Sequence, residues 1–195
     1  MNNRLTEKEG KILLRLARET IAEKLGRKAK QEGTLNFENR LEKNVFNEKR
    51  GVFVTLHKNG HLRGCIGSLD SSETIRQSVI DNARNAAFHD PRFSSLKVRE
   101  LSAVDIEVSI LTSPKRVEYS DGDDLLKKLR PDIDGVIIKK GRQMATFLPQ
   151  VWEQLSTPEA FLSHLCSKAG LDQNEWARGE LEVQTYQVQY FEESR

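Results

Sequence analysis

The chain has 195 residues, with 31 Lys+Arg against 29 Asp+Glu, a near-neutral balance that gives no broad basic footprint for a phosphate backbone. A chain of this length can bury roughly 70% of its unfolded surface, enough for one sizeable domain or two interlocked lobes. Cys65 and Cys166 lack CxxC spacing, no apolar run approaches the ~20 residues of a bilayer span, and the N-terminus MNNRLTEKEG has no signal-like apolar core, so a reducing, cytoplasmic setting without a disulfide or a membrane contact is expected.

The first predicted element is a helix from Thr6, because Thr6 and Glu9 have capping-box spacing and Leu13, Ala17, Ile21 and Leu25 recur on one face; Gly26 ends it. Residues 27 to 50 are polar and poorly periodic, and read as an irregular cover with one short helix near residues 37 to 46. GVFVTLH and HLRGCIG flank Asn59-Gly60, the signature of a hairpin with a two-residue turn. A helix follows from about Ser72, with Ile75, Val79, Ala83, Ala86 and Ala87 on one side, and stops before Pro91. In VDIEVSIL, Val104, Ile106, Val108 and Ile110 alternate with polar residues, as in a half-buried strand.

The same order then recurs. DGVIIKKGRQMATFL reads as a second hairpin turning near Lys140 and Gly141, and TPEAFLSHLCSKAGL as a helix with Thr157 at its cap, Pro158 at its first position and Gly170 past its end. Leu181, Val183, Tyr186, Val188 and Tyr190 then predict one closing strand whose alternation shifts near Thr185, as at a bulge. The expected fold is α+β, with two interlocked lobes from a duplicated hairpin-helix-strand unit and mostly antiparallel sheet. The expected boundaries are about 51–111 for lobe 1 and 135–191 for lobe 2, with the N-terminal helix and cover at 6–50, all within a single domain.

The stretch LRGCIGSL is the strongest functional clue, because glycines inside a strand mark a bulge, a bend or a close approach by backbone or ligand. A regular hairpin would set Val54 opposite Cys65 and Leu56 opposite Arg63, placing Arg63 and Cys65 on the face of Val52, Val54 and Leu56. Two readings stand. In the functional one, Gly64 and Gly67 let a ligand reach the backbone, Arg63 supplies charge and Cys65 faces the ligand; in the structural one, the glycines relieve packing, Cys65 is a small hydrophobe and Arg63 forms an ion pair.

Other chemistry-bearing residues are fewer. His61 is about 13 Å along the strand from Cys65 and cannot be its direct base. His57 and His61 have HxxxH spacing but point to different faces of a hairpin, which argues against a metal site, and His164 falls amid the apolar residues of its helix as a packing histidine. In AAFHDPRF, Asp90, Arg92 and Phe93 project from a constrained turn, either as a site edge or as a helix stop with a surface ion pair. Glu107, beside Ser109, is the available acid or base if its strand face lines a cleft. The sequence shows no phosphate loop, zinc spacing or cofactor fingerprint, so no cofactor or metal is expected.

Taken together, LRGCIGSL, AAFHDPRF, EVSIL, ATFLPQVWEQL and FLSHLCSKAGL resemble, in order, the AMMECR-type domain family, also called AmmeMemoRadiSam system protein A, from about residue 10 to 192. Its signature positions map to Leu62 through Gly67, to Asp90, Arg92 and Phe93, and to Leu148, Pro149 and Gln150; where the family often has prolines, this chain has Ser94 and Ser95, which predicts a looser loop around Arg92. The resemblance implies a two-lobed α+β fold and an association with a Memo-type protein and a radical-SAM protein. The function expected is a substrate-binding protein for an unidentified small molecule, or an enzyme, with a cleft between the lobes floored by residues 63 to 67, Cys65 and Glu107 as catalytic candidates and Arg63, Gly64, Gly67, Asp90 and Arg92 as binding candidates. The alternatives are a non-enzymatic adaptor docking those partners through exposed aromatic residues of the last strand or through Trp152, and a nucleic-acid-binding regulator.

Overall fold

Thr6 accepts a hydrogen bond from the Glu9 amide, and the Glu9 carboxylate accepts one from the Thr6 amide, so two of the amide donors at the helix start are satisfied and helix α1 (Glu7–Lys24) starts where the capping box places it. The computed structural model describes residues 4–27, 44–69 and 72–193. The short helix expected near residues 37–46 falls outside them, apart from a single 3-10 turn at Asn44–Asn47. After Gly26, whose φ is +74°, the described chain resumes and enters strands β1 (Val52–Lys58) and β2 (His61–Ser68). Helix α2 (Ile75–Phe88) follows, capped by Thr74 rather than begun at Ser72, and then strand β3 (Val104–Leu111).

The chain divides into two compact units, residues 1–111 with 189–195, and residues 112–188. In the first, one four-stranded sheet has the order β2-β1-β3-β8, where β8 is Val188–Glu192. Helices α1 and α2 pack on the sheet face that carries Val52, Val54, Leu56, Ile106, Val108 and Ile110, all buried. Each such side chain contributes roughly 1.5–3 kcal/mol by leaving water. Gly10 belongs to this packing, since a Cβ there would fall 1.9 Å from the Phe191 ring of β8.

The second unit begins with β4 (Lys115–Arg116) and α3 (Gly122–Lys128). It continues with β5 (Gly135–Lys140), β6 (Gln143–Phe147), α4 (Pro158–Lys168) and β7 (Glu182–Tyr186). Its sheet order is β4-β7-β5-β6. In both units the strand after the helix returns beside the first strand of the hairpin, β3 on β1 and β7 on β5, all antiparallel. The fold is therefore α+β with the hairpin-helix-strand order repeated. The second core centres on Trp152, stacked 3.7 Å from Phe161, with its indole N–H donated to the Asp134 carbonyl at 2.7 Å.

Three local expectations are corrected. The second hairpin turns at Gly141-Arg142, one residue later than predicted, because Lys140 pairs with Gln143 and Gly141 supplies the positive φ of +60°. The predicted closing strand is two strands, β7 and β8, broken at Gln187 and belonging to different sheets, so the shift in alternation marks a change of sheet rather than a bulge. His164 is exposed, not packed.

Helix α2 approaches β2 at backbone distance: a Cβ on Gly64 would lie 2.1 Å from the Ala86 carbonyl oxygen. Because the obstacle is backbone, Gly64→Ala is expected to lower stability by about 1–3 kcal/mol, the cost of forcing atoms into a packed interior. Urea unfolding measures this, and an unchanged midpoint would rule out the close approach.

Candidate functional site

The first hairpin closes as expected, Lys58 pairing with His61 across Asn59 and Gly60, whose φ values are +52° and +76°. It does not keep the regular register. His57 pairs with Leu62 but Leu56 pairs with Gly64, so Arg63 is an extra residue in a bulge, and beyond it Thr55 faces Cys65 and Val54 faces Ile66. This overturns the expected Val54–Cys65 and Leu56–Arg63 pairs. Cys65 sits with Thr55, away from the buried Val52, Val54 and Leu56, because one inserted residue turns every following side chain to the opposite face.

The shift assembles a row across three strands: Cys65 on β2, Thr55 on β1 and Glu107 on β3, each cross-strand partner of the next. The Thr55 hydroxyl donates to Cys65 Sγ at 3.2 Å, which orients the sulfur of this half-buried residue. The Ser109 hydroxyl donates to Glu107 Oε1 at 2.9 Å. Strand spacing of about 4.8 Å leaves Cys65 and Glu107 roughly 10 Å apart along the row, too far for direct proton transfer and suited to groups that meet one ligand from two sides.

β2 is an edge strand, and its outward backbone at Cys65 is occupied. The Cys65 amide donates to Asp90 Oδ2 at 2.9 Å, and the Cys65 carbonyl accepts from Arg92 Nη2 at 3.2 Å. Arg92 in turn donates to both Asp90 oxygens, Nε to Oδ1 at 3.0 Å and Nη2 to Oδ2 at 2.7 Å, in a bidentate pair. Arg92 holds the Asp90 carboxyl below the usual carboxylate range, and the Cys65 and Arg92 amides reinforce the shift. The Asp-Arg surface pair is therefore corrected: the Asp90 side chain is 1% exposed, and the pair clamps a strand edge. The loop is not loosened by Ser94 and Ser95, since the Ser95 hydroxyl donates to the Phe88 carbonyl and the Leu96 amide to that of Ala87.

Arg63 belongs to another group. Its Nε and Nη2 donate to Glu100 at 3.3 and 3.2 Å, and Lys58 Nζ donates to the same carboxylate at 2.9 Å. Arg63 and Lys58 hold Glu100 down to about 2. Neither glycine leaves open space over its Cα: the Ala86 carbonyl covers Gly64, and the Phe53 ring lies 2.3 Å from where a Gly67 Cβ would be. Arg63, Gly64 and Gly67 thus have structural partners, although Arg63 Nη1 is buried without a hydrogen-bond partner; Asp90 and Arg92 meet at Cys65, and Glu107 stands two strands away from it. Thr55 and Glu100 escaped the sequence reading; the Asn59-Gly60 turn signal could find Thr55 only if the bulge were known.

His57 and His61 take alternate positions across the turn, and among the described residues no group of three His, Cys, Asp or Glu side chains is placed to hold a metal ion. No helix among them is long and apolar enough to cross a membrane. Trp152, proposed as a docking residue, is 1% exposed; in the last strand Tyr190 is 40% exposed while Phe191 is buried.

An α+β protein whose first sheet presents a cysteine fixed by an Asp-Arg clamp is the class that this geometry defines. The chain belongs to the AMMECR1 family, whose model matches residues 14–191. It is 40% identical to a protein of Methanosarcina acetivorans, covering 97% of this chain and 94% of that one. It is also 35% identical to Protein MK0488 of Methanopyrus kandleri, covering 99% and 92%. The crystal structure of the uncharacterized protein PH0010 from Pyrococcus horikoshii is similar at 32% identity and a TM-score of 0.77, over 97% of this chain and 94% of that one.

Two outcomes are expected. Cys166 is fully buried and burial pushes its thiol up, so iodoacetamide should label Cys65 much faster in the native protein, as peptide mass spectrometry would read; equal rates would remove the accessible thiol. Glu100 has a folded pKa below its ordinary 4.5, so its contribution to stability is present above about pH 4.5 and is lost as pH falls toward 2. The stability gap between the natural chain and Glu100→Gln should therefore close across that window in denaturant titrations. A gap independent of pH would contradict it.

Proposed function

We propose that this chain binds a small organic substrate on the outward face of its first sheet, with Cys65 as the group that meets it. The observation that supports this most directly is the thiol itself, set outside the hydrophobic core, oriented by the Thr55 hydroxyl and fixed through its own amide and carbonyl by Asp90 and Arg92. A cysteine used only as a small hydrophobe needs no such positioning; Cys166, buried among Leu162, Leu165 and Trp152, has that role. In a reaction cycle Cys65 would supply the nucleophile and Glu107 the acid or base, each reaching the substrate from its own strand.

The resemblance of the sequence motifs adds partners to this proposal: the chain acts alongside a Memo-type protein and a radical-SAM protein, binding the small molecule that such a pathway handles. The near-neutral charge balance gives a nucleic-acid role no comparable support.

Native protein isolated without denaturation should retain a small molecule, or a mass adduct on Cys65, that Cys65→Ala loses while keeping its thermal midpoint. Identical small-molecule content in the two proteins, with no adduct on Cys65, would sink this reading.

A further inference from the structure

Arg92 does two things at once. Its Nε and Nη2 are held by Asp90, and Nη2 also reaches the Cys65 carbonyl, on the same residue as the thiol. Nη1 takes no part in that pairing, and the side chain is 54% exposed whereas the Asp90 side chain behind it is 1% exposed. The Phe93 ring adds a second support, 5.4 Å from the guanidinium carbon. Solvent at this edge of β2 therefore meets a guanidinium with its orientation already fixed, and its partner carboxylate faces inward. A guanidinium held in this way is pre-organised to take a planar or tetrahedral oxyanion, because little side-chain freedom remains to be lost on binding.

Resting on the reading of Cys65 as the substrate-facing group, we propose that the substrate carries an oxyanion, a carboxylate or a phosphate, that docks on Arg92 and sets the rest of the molecule against the Cys65 thiol. Arg92 is then a specificity residue, and Asp90 its positioning residue. Asp90 and Glu107 both repel anions, so among the described residues of this row and its clamp Arg92 is the cation that can favour an anion at Cys65.

Two alkylating reagents of nearly equal size test this, anionic iodoacetate and neutral iodoacetamide. In each case the thiolate sulfur forms a bond to the CH2 carbon, the C–I bond breaks and iodide leaves, so only the reagent charge differs. The ratio of the two rates at Cys65 in the natural protein should exceed the same ratio for N-acetylcysteine amide, by at most about threefold, the effect of opposite unit charges some 6 Å apart in water, because Asp90 offsets part of the Arg92 charge. Inorganic phosphate or acetate, at constant ionic strength, should slow iodoacetate and leave iodoacetamide unchanged; the stronger competitor identifies phosphate or carboxylate as the preferred group. Arg92→Gln should bring the ratio to that of the small thiol, and Arg92→Lys, which keeps the charge without the guanidinium held in place by Asp90, should retain part of it.

A ratio in the natural protein no higher than that of the small thiol overturns the proposal whether or not the variants fold. So does a raised ratio that survives in folded Arg92→Gln. Labelling by iodoacetamide with no preference for iodoacetate removes the oxyanion alone and leaves Cys65 as a substrate-facing group. Failure of both reagents to reach Cys65 removes the accessible thiol and this inference with it.

Discussion

The carbonyl of Ala86 lies where a side chain at residue 64 would stand, and through that contact helix α2 decides how strand β2 sits in its sheet. With Gly64 pinned against the helix, the residues on either side of it must turn the other way, and Cys65 goes to the outward face. The bulge at Arg63 takes up the residue left over between this fixed point and the Asn59-Gly60 turn. The second hairpin has the same connections but an unbroken register from Val136–Phe147 to Lys140–Gln143. The bulge is thus a property of the first unit, and it sets a thiol in place.

The polar groups near this point are stabilised in two different ways. Asp90 is buried and has its oxygens taken by Arg92 and by backbone amides, so the charge is matched by hydrogen bonds and by one cation. Glu100 instead carries two cations, Lys58 and Arg63, and serves as the anchor for the bulged residue. The first arrangement fixes the backbone of Cys65 and leaves a guanidinium facing solvent. The second keeps Arg63 away from the thiol, which is why these two neighbours in the chain belong to different groups in space.

The two cysteines show how much the surroundings decide. Cys166 lies on the buried stripe of α4 with Phe161, Leu162 and Leu165, where a thiol behaves as one more apolar side chain. Cys65 lies on a strand face with a threonine and a glutamate as its row mates. The comparison separates the two thiols on grounds of placement alone. The conspicuous aromatic residue Trp152, stacked on Phe161 and buried, likewise holds a core together.

Local rules in the sequence determined much of the fold. The Thr6–Glu9 capping box, the Asn59-Gly60 turn, the alternation of Val104 to Ile110 and the Thr157-Pro158 start of α4 each act within a few residues, so each is legible where it stands. The repeat of hairpin, helix and strand followed from those elements in order. The sequence also drew attention to Cys65, Asp90, Arg92 and Glu107 as separate residues. What joined them was tertiary. In LRGCIG both faces of the strand are partly apolar, so alternation fits two registers equally, and the choice falls to a helix carbonyl and an Asp-Arg clamp more than 20 residues further along the chain. The division of the closing segment between two sheets has the same origin, since a shift in alternation is identical in sequence whether the strand bulges or changes partners. Only the position of those partners distinguishes the two.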